Sequence, residues 1–213
     1  MAKLKMLLAS LYLLMTLGLT GSPAVKEETV VNTLSEEFSD NTRVQQWKHY
    51  FSEVTKPSTD RIRGRDFYLE TILKKFSKSN IPKERAEIYA EIPELESAWR
   101  SDAKSPVGAK GLWQIMPETA QRYGYTELDM KDPVKATACA VRYISFLDSV
   151  YKGDVAAVLF AYNGGEGTVN LAMKSYKTDD VWLIEFKSRE TYNFAPKVLG
   201  AWLHNKEQTQ ENI

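Results

Sequence analysis

The sequence predicts an all-α protein, and three observations carry that expectation. Apolar residues recur at intervals of three and four along most of the chain, helix-opening and helix-closing residues bracket those runs, and no stretch of useful length alternates apolar with polar residues as a half-buried strand would. With 43% apolar residues over 213 positions there is material for one core, and 8 prolines and 11 glycines are too few for a collagen-like or low-complexity chain. The 28 basic residues are matched by 28 acidic ones. The positive field of a nonspecific nucleic-acid binder is therefore missing, and nucleic acid is not expected as a partner.

The chain opens on residues 1–24, which read as a secretory signal peptide. Lys3 and Lys5 precede an apolar run from Met6 to Leu19, and Ser22 and Ala24 stand at the small-residue cleavage positions. That run is shorter than the roughly 18–20 residues a spanning helix needs, so cleavage is expected, with an uncleaved anchor as the alternative. No cysteine lies near the cut, which excludes an acyl-lipid anchor. Removing the segment deletes two lysines and no acid, leaving 26 positive against 28 negative charges. A periodic but polar extension follows over 25–78, with Val30, Leu34 and Phe38, then Val44, Trp47 and Phe51, at helical spacing. Lys56-Pro57-Ser58-Thr59-Asp60 breaks the pattern, and Phe67, Ile72, Leu73 and Phe76 mark a further helix.

The main domain is expected over 79–205, with a polar tail at 206–213. Ile81-Pro82 suits a first helical turn. Ile88, Ile92, Leu95 and Trp99 form an apolar stripe that Pro93 should kink or restart. Asp132-Pro133 opens a long helix, with Val134, Ala138, Val141, Ile144, Leu147 and Tyr151 on one face and Gly153 as its stop. Asp154 caps a helix over Val155 to Tyr162 that is apolar nearly all round and should be buried, and Asn163-Gly164-Gly165 ends it. A short helix over Thr168 to Met173 and a last one from about Glu190 to His204 complete the set. Asp102 to Gly111 is the one irregular insert.

Several chemistries are excluded by what the chain lacks. Cys139 is the sole cysteine and reads as a small core residue; with only His49 and His204 beside it, a Cys/His zinc site has too few ligands. The serine-hydrolase elbow, the zinc-protease helix and the phosphate-binding loop have no matching motif. No metal and no cofactor are expected.

What remains points to one acid and a cleft. Glu96 lies four residues beyond Ile92, so its carboxylate projects close to the face that meets the core. A carboxyl desolvated there stays protonated toward neutral pH and can deliver a proton to a leaving oxygen. In Ser105-Pro106-Val107-Gly108-Ala109-Lys110-Gly111-Leu112-Trp113-Gln114-Ile115-Met116-Pro117, glycines let backbone approach a ligand, and Gln114 offers a donor and an acceptor together. Ala161-Tyr162-Asn163 puts a phenol and an amide at a helix end. Most of the aromatic rings should be core, with Trp182 and Tyr192 as candidates for stacking on a sugar.

These segments together, Glu96-Ser97-Ala98-Trp99, Ser105 to Pro117, Thr119-Ala120, Ala161-Tyr162-Asn163 and Glu190-Thr191, resemble the catalytic domain of the family 1 lytic transglycosylases, relatives of goose-type lysozyme. The resemblance runs from about Ile81 to Leu203. Gly165-Glu166-Gly167 and Pro196-Lys197 look like the membrane-bound D-type enzymes, and the Ser105-to-Met116 stretch looks like the large soluble enzyme. The resemblance implies a lysozyme-like (goose-type) helical domain that cleaves peptidoglycan between N-acetylmuramic acid and N-acetylglucosamine, leaving a 1,6-anhydromuramyl end. It implies Glu96 as catalytic acid and base, Ser97 as structural support, Tyr162 as the phenol that hydrogen-bonds the acid, and Ser105, Gln114, Met116, Asn163 and Glu190 as substrate-side positions. Trp113, Gly164 and Phe194 depart from residues common in the family and bear on cleft shape. The D-type enzymes often carry wall-binding repeats after this domain; here the polar tail follows.

Peptidoglycan glycan strands are the expected partner of a monomer exported to the periplasm or beyond, with a cell-envelope or secretion-machinery protein left open. A goose-type hydrolase would need a second carboxylate to position water, with Glu94, Asp102 and Glu190 as candidates. A noncatalytic wall-binding scaffold would need no acid at Glu96.

Overall fold

The computed structural model describes residues 34–54 and 58–211, and the expected signal peptide lies outside them. Among the described residues there is no strand. Pairing is limited to isolated antiparallel bridges, Lys104 with Lys110 and Lys110 with Ile115. No helix among them is long and apolar enough to cross a membrane.

After a helical turn at 34–39, the helices are α1 (Thr42–His49), α2 (Thr59–Phe76), α3 (Lys83–Tyr89), α4 (Ile92–Glu96), α5 (Pro117–Arg122), α6 (Pro133–Val150), α7 (Val155–Gly164), α8 (Glu166–Tyr176) and α9 (Arg189–Glu211). Side-chain caps fix several starts, each satisfying backbone N–H groups that the helix cannot. Asn41 accepts from the N–H groups of Arg43 and Val44, Ser58 from that of Arg61, Asp132 from those of Val134 and Lys135, and Asp154 from that of Ala157.

The centre of the domain is α7, buried from Val155 to Ala161. Helices α6, α8 and α9 pack on it, and α1 lies along α9. Ile144, Leu147, Leu159, Phe160 and Trp113 are all fully enclosed, and each such side chain contributes about 1.5–3 kcal/mol of hydrophobic stabilisation or more. Cys139 is buried in this core, where desolvation pushes its thiol up to about 11. That agrees with a packing role and not a nucleophilic one.

Pro196 lies inside α9. Without an N–H it leaves the carbonyl of Tyr192, one turn earlier, with no helical donor. Arg43 of α1 supplies one: its Nη2 donates to that carbonyl, and its guanidinium carbon stands 3.7 Å from the centre of the Tyr192 ring.

The structure corrects or refines four expected details. Phe67 is 73% exposed, because it lies about 140° around α2 from Ile72, which with Phe76 forms the buried edge. Val134 is also exposed, and burial on α6 begins at Ala136. The helix expected over Thr168 to Met173 spans Glu166–Tyr176, and the last helix continues past His204 to Glu211. Between α4 and α5 the chain is irregular, as expected, and this stretch forms one wall of the candidate site.

Candidate active site

Glu96 is the last residue of a five-residue helix. Pro93 occupies the first turn of α4, where its missing N–H costs nothing, and Ser97 closes the helix with a non-helical backbone. The Ser97 hydroxyl lies 3.2 Å from the Pro93 carbonyl and 2.8 Å from the Leu112 carbonyl. It thereby ties the helix end to the irregular loop. Ala98 and Trp99 follow at φ +50° and +63°, a left-handed pair that turns the chain sharply past the acid. Non-glycine residues held there cost about 1–3 kcal/mol each and persist only where the surroundings impose them.

Glu96 is half-buried, and its carboxyl is pushed up to about 8. Desolvation is the main cause and the negative charge of Glu190 the second. Among the described residues no side chain hydrogen-bonds this carboxyl. It is a neutral acid at pH 7, with a charged neighbour that penalises its ionisation.

The loop wall is built from Ala103 to Met116. Gly111 donates to the Ala103 carbonyl at 2.8 Å. At φ +75° it packs so tightly that a Cβ would lie 1.8 Å from the Met130 carbonyl oxygen, so this glycine serves an approach of backbone to backbone and not to ligand. Gln114, at φ +46°, donates from Nε2 to the Gly111 carbonyl at 2.8 Å. The Ser105 hydroxyl accepts from the Ala109 N–H at 2.9 Å, closing a local turn. Met116, half-buried, immediately precedes α5.

The opposite wall comes from the end of α7 and the start of α9. Tyr162 is held far above the usual phenol range by desolvation and then by the charge of Glu96, so it remains a donor. Its hydroxyl donates to the Trp113 carbonyl at 2.7 Å and not to the acid. The resemblance implied a bond to Glu96; the structure instead spends the single phenolic proton on locking the loop to α7. Trp113 is itself buried, its indole donating to Thr137 at 3.0 Å. Asn163 donates from Nδ2 to Glu190 at 3.0 Å and accepts from the Thr191 hydroxyl at 2.9 Å.

The expected residues thus divide. Glu96, Tyr162 and Glu190 are electrostatically coupled, and Asn163 joins them through Glu190. Ser97 holds the acid's helix. Ser105, Gln114 and Met116 sit on the loop wall with local bonds. Trp182 and Tyr192, considered for sugar stacking, instead have the Arg43 guanidinium over their rings, at 5.5 and 3.7 Å. Glu94, a candidate second carboxylate, has Oε1 paired with Arg61 and Oε2 accepting from the Trp99 indole at 2.5 Å. Asp102 is exposed.

Sequence reasoning gave Thr191 no role of its own and missed Arg61 and Arg65. Arg65 pairs at 2.7 Å with the buried Glu91, just before α4. The available signal was two arginines four apart on α2 and two glutamates three apart at the start of α4, a charge pattern that a search for apolar periodicity passes over.

The helical domain thus places the desolvated Glu96 between a glycine-bearing loop and a Tyr-Asn helix end. The family model described as "Transglycosylase SLT domain" matches residues 70–184. The chain belongs to that family. Among relatives, the membrane-bound lytic murein transglycosylase D of Escherichia coli K12 is 29% identical over 169 residues, covering 76% of this chain and 36% of its own length. Among solved structures, the 70 kDa soluble lytic transglycosylase of Escherichia coli superposes with a TM-score of 0.55 at 20% identity, covering 85% of this chain and 35% of that one. An inactive Glu-to-Gln mutant of the lytic transglycosylase Slt from Pseudomonas aeruginosa superposes at 0.50 with 25% identity, covering 67% of this chain and 24% of that one. The fold is the lysozyme-like one, and the chain spans about a third or less of the length of these proteins.

Proposed function

We propose that the chain is a peptidoglycan lytic transglycosylase in which Glu96 serves first as acid and then as base. The observation that carries this reading is a half-buried carboxyl pushed up to about 8, with no cation paired to it among the described residues. Such a group is protonated when substrate binds and, once it has given up its proton, is basic enough to take one back. In this mechanism the Glu96 proton passes to the glycosidic oxygen as the bond from muramyl C1 to that oxygen breaks, and N-acetylglucosamine leaves with a free hydroxyl. The Glu96 carboxylate then accepts the proton of the muramyl O6 hydroxyl as O6 bonds to C1. The product is a 1,6-anhydromuramyl end, and no water is consumed.

Glu94 has both oxygens engaged and Asp102 is exposed, which leaves Glu190 as the one candidate for the second carboxylate that a two-carboxylate scheme would need. Ser105, Gln114 and Met116 on one wall, and Tyr162, Asn163 and Glu190 on the other, are the proposed substrate contacts, with Ser97 as support. Residues 1–24 act in this reading as a cleaved export signal that takes the enzyme to the periplasm or beyond.

The test is the mass of the muropeptides released from purified peptidoglycan. Anhydro ends, one water lighter than reducing ends, are expected. Reducing ends would instead assign a hydrolase, with Glu190 as the carboxylate near enough to Glu96 to direct water. No release by the wild type would leave only a wall-binding role.

A further inference from the structure

We infer that α2 braces the turn carrying Glu96, with Arg61 and Arg65 as positioning residues; the inference rests on the role proposed for Glu96. A five-residue helix holds no shape alone, because nucleation is costly and few of its own hydrogen bonds form. Helix α4 is that short, so its orientation must come from its neighbours. Arg65 reaches Glu91 at the start of α4, at 2.7 Å from Nη2 and 3.5 Å from Nε. Arg61, one turn earlier on α2, pairs with Glu94 Oε1, and its Nη2 also lies 3.4 Å from the Glu94 carbonyl oxygen. The other oxygen of Glu94 holds the Trp99 indole. Both the start and the middle of α4 are thereby attached to α2, and the strained Ala98–Trp99 turn is attached to the same carboxylate.

Gly64 lies between the two arginines. A Cβ there would stand 2.7 Å from the Trp99 Cβ, so the absent side chain lets α2 lie directly against the turn. Glu96 is enclosed in sequence by these fixed points, two residues after Glu94 and two before Ala98. A displacement of α2 is therefore a displacement of the acid. Arg61, Gly64 and Arg65 all precede residue 70, where the family match begins, so this brace is supplied by chain outside the matched domain.

The test compares the full-length wild type with Arg61→Met, Arg61→Lys and, as a control for weakening a bidentate ion pair away from the site, Arg85→Lys. Arg85 forms a bidentate pair with Asp148, at 2.9 Å for both bonds, that joins α3 to α6. Three quantities are read: kcat and KM for release of soluble muropeptides, the Glu96 titration by carboxyl 13C NMR, and urea stability. Arg61→Met is expected to lower kcat at least about tenfold with KM within about twofold, since about 1 Å of misplacement can cost about a hundredfold. It should also move the Glu96 titration down from about 8, because a loosened turn admits water. Simple loss of a cation would move it up, so the sign separates repositioning from electrostatics. Arg61→Lys should recover part of kcat, and Arg85→Lys should reduce stability while leaving kcat and the titration unchanged.

If Arg61→Met behaves as Arg85→Lys does, or if the Glu96 titration stays or rises, the brace is refuted. A wild type that releases nothing while the titration still falls in Arg61→Met would sink the proposed activity and leave the brace standing.

Discussion

Replacing Glu96 by glutamine should make the protein more stable at alkaline pH while removing its activity. In the folded chain the carboxyl titrates near 8 instead of its ordinary 4.5, chiefly through desolvation and then through the charge of Glu190. Between those values the native state binds a proton that the unfolded chain has released, so wild-type stability falls as pH rises through this window. The stabilisation is full below 4.5 and lost above about 8. At roughly 1.4 kcal/mol per pH unit, the interval sets a ceiling of about 5 kcal/mol. Partial exposure of Glu96 screens the group, so about 2–4 kcal/mol is the expected effect. Glutamine is neutral at every pH and escapes the penalty. Urea denaturation of both proteins from pH 4 to pH 9 should give nearly equal free energies at the acid end and a gap that widens in favour of Glu96→Gln toward the alkaline end. A gap that does not change with pH would mean Glu96 ionises as freely in the folded protein as in the unfolded one, and the argument for a neutral acid would fail.

Two further outcomes follow from the same geometry. Muropeptide release at saturating enzyme should fall as pH rises past about 8, where the Glu96 proton is lost; a profile still climbing at pH 9 would contradict its role as acid. Tyr162→Phe leaves the buried Trp113 carbonyl without its donor, which should cost about 1–3 kcal/mol in chemical denaturation. It should slow the reaction far less than the at least about hundredfold loss expected for Glu96→Gln.

Much of the fold was legible because it follows from local rules. Asp132-Pro133 and Asp154 cap α6 and α7 as expected, and the all-round apolar run of Val155 to Ala161 is buried. Pro93 starts a new short helix, one of the two outcomes its position allowed. Phe67 marks α2 as expected, but it is exposed because five residues carry it well off the face that Ile72 buries. At the site, the desolvation of Glu96 was readable from its place beside the stripe of Ile88, Ile92 and Trp99. The Tyr162 partner was not, because Trp113 accepts through its backbone, and a carbonyl is anonymous in sequence. Nor was the brace, since Arg61 and Glu94 lie 33 positions apart and only the packing of α2 on α4 brings them together.

The proline in α9 bears on how this domain is delimited. Its ladder has a gap at Tyr192, and the donor that fills the gap comes from Arg43, near the opposite end of the described chain. A version trimmed to begin at residue 70, where the family match starts, would keep the vacancy and discard what closes it. Glu190 and Thr191, in the same first turns of α9, would lose an anchor they never touch. The compact unit, 34–213, is wider than the family signature, and α1 and α9 pack along each other within it.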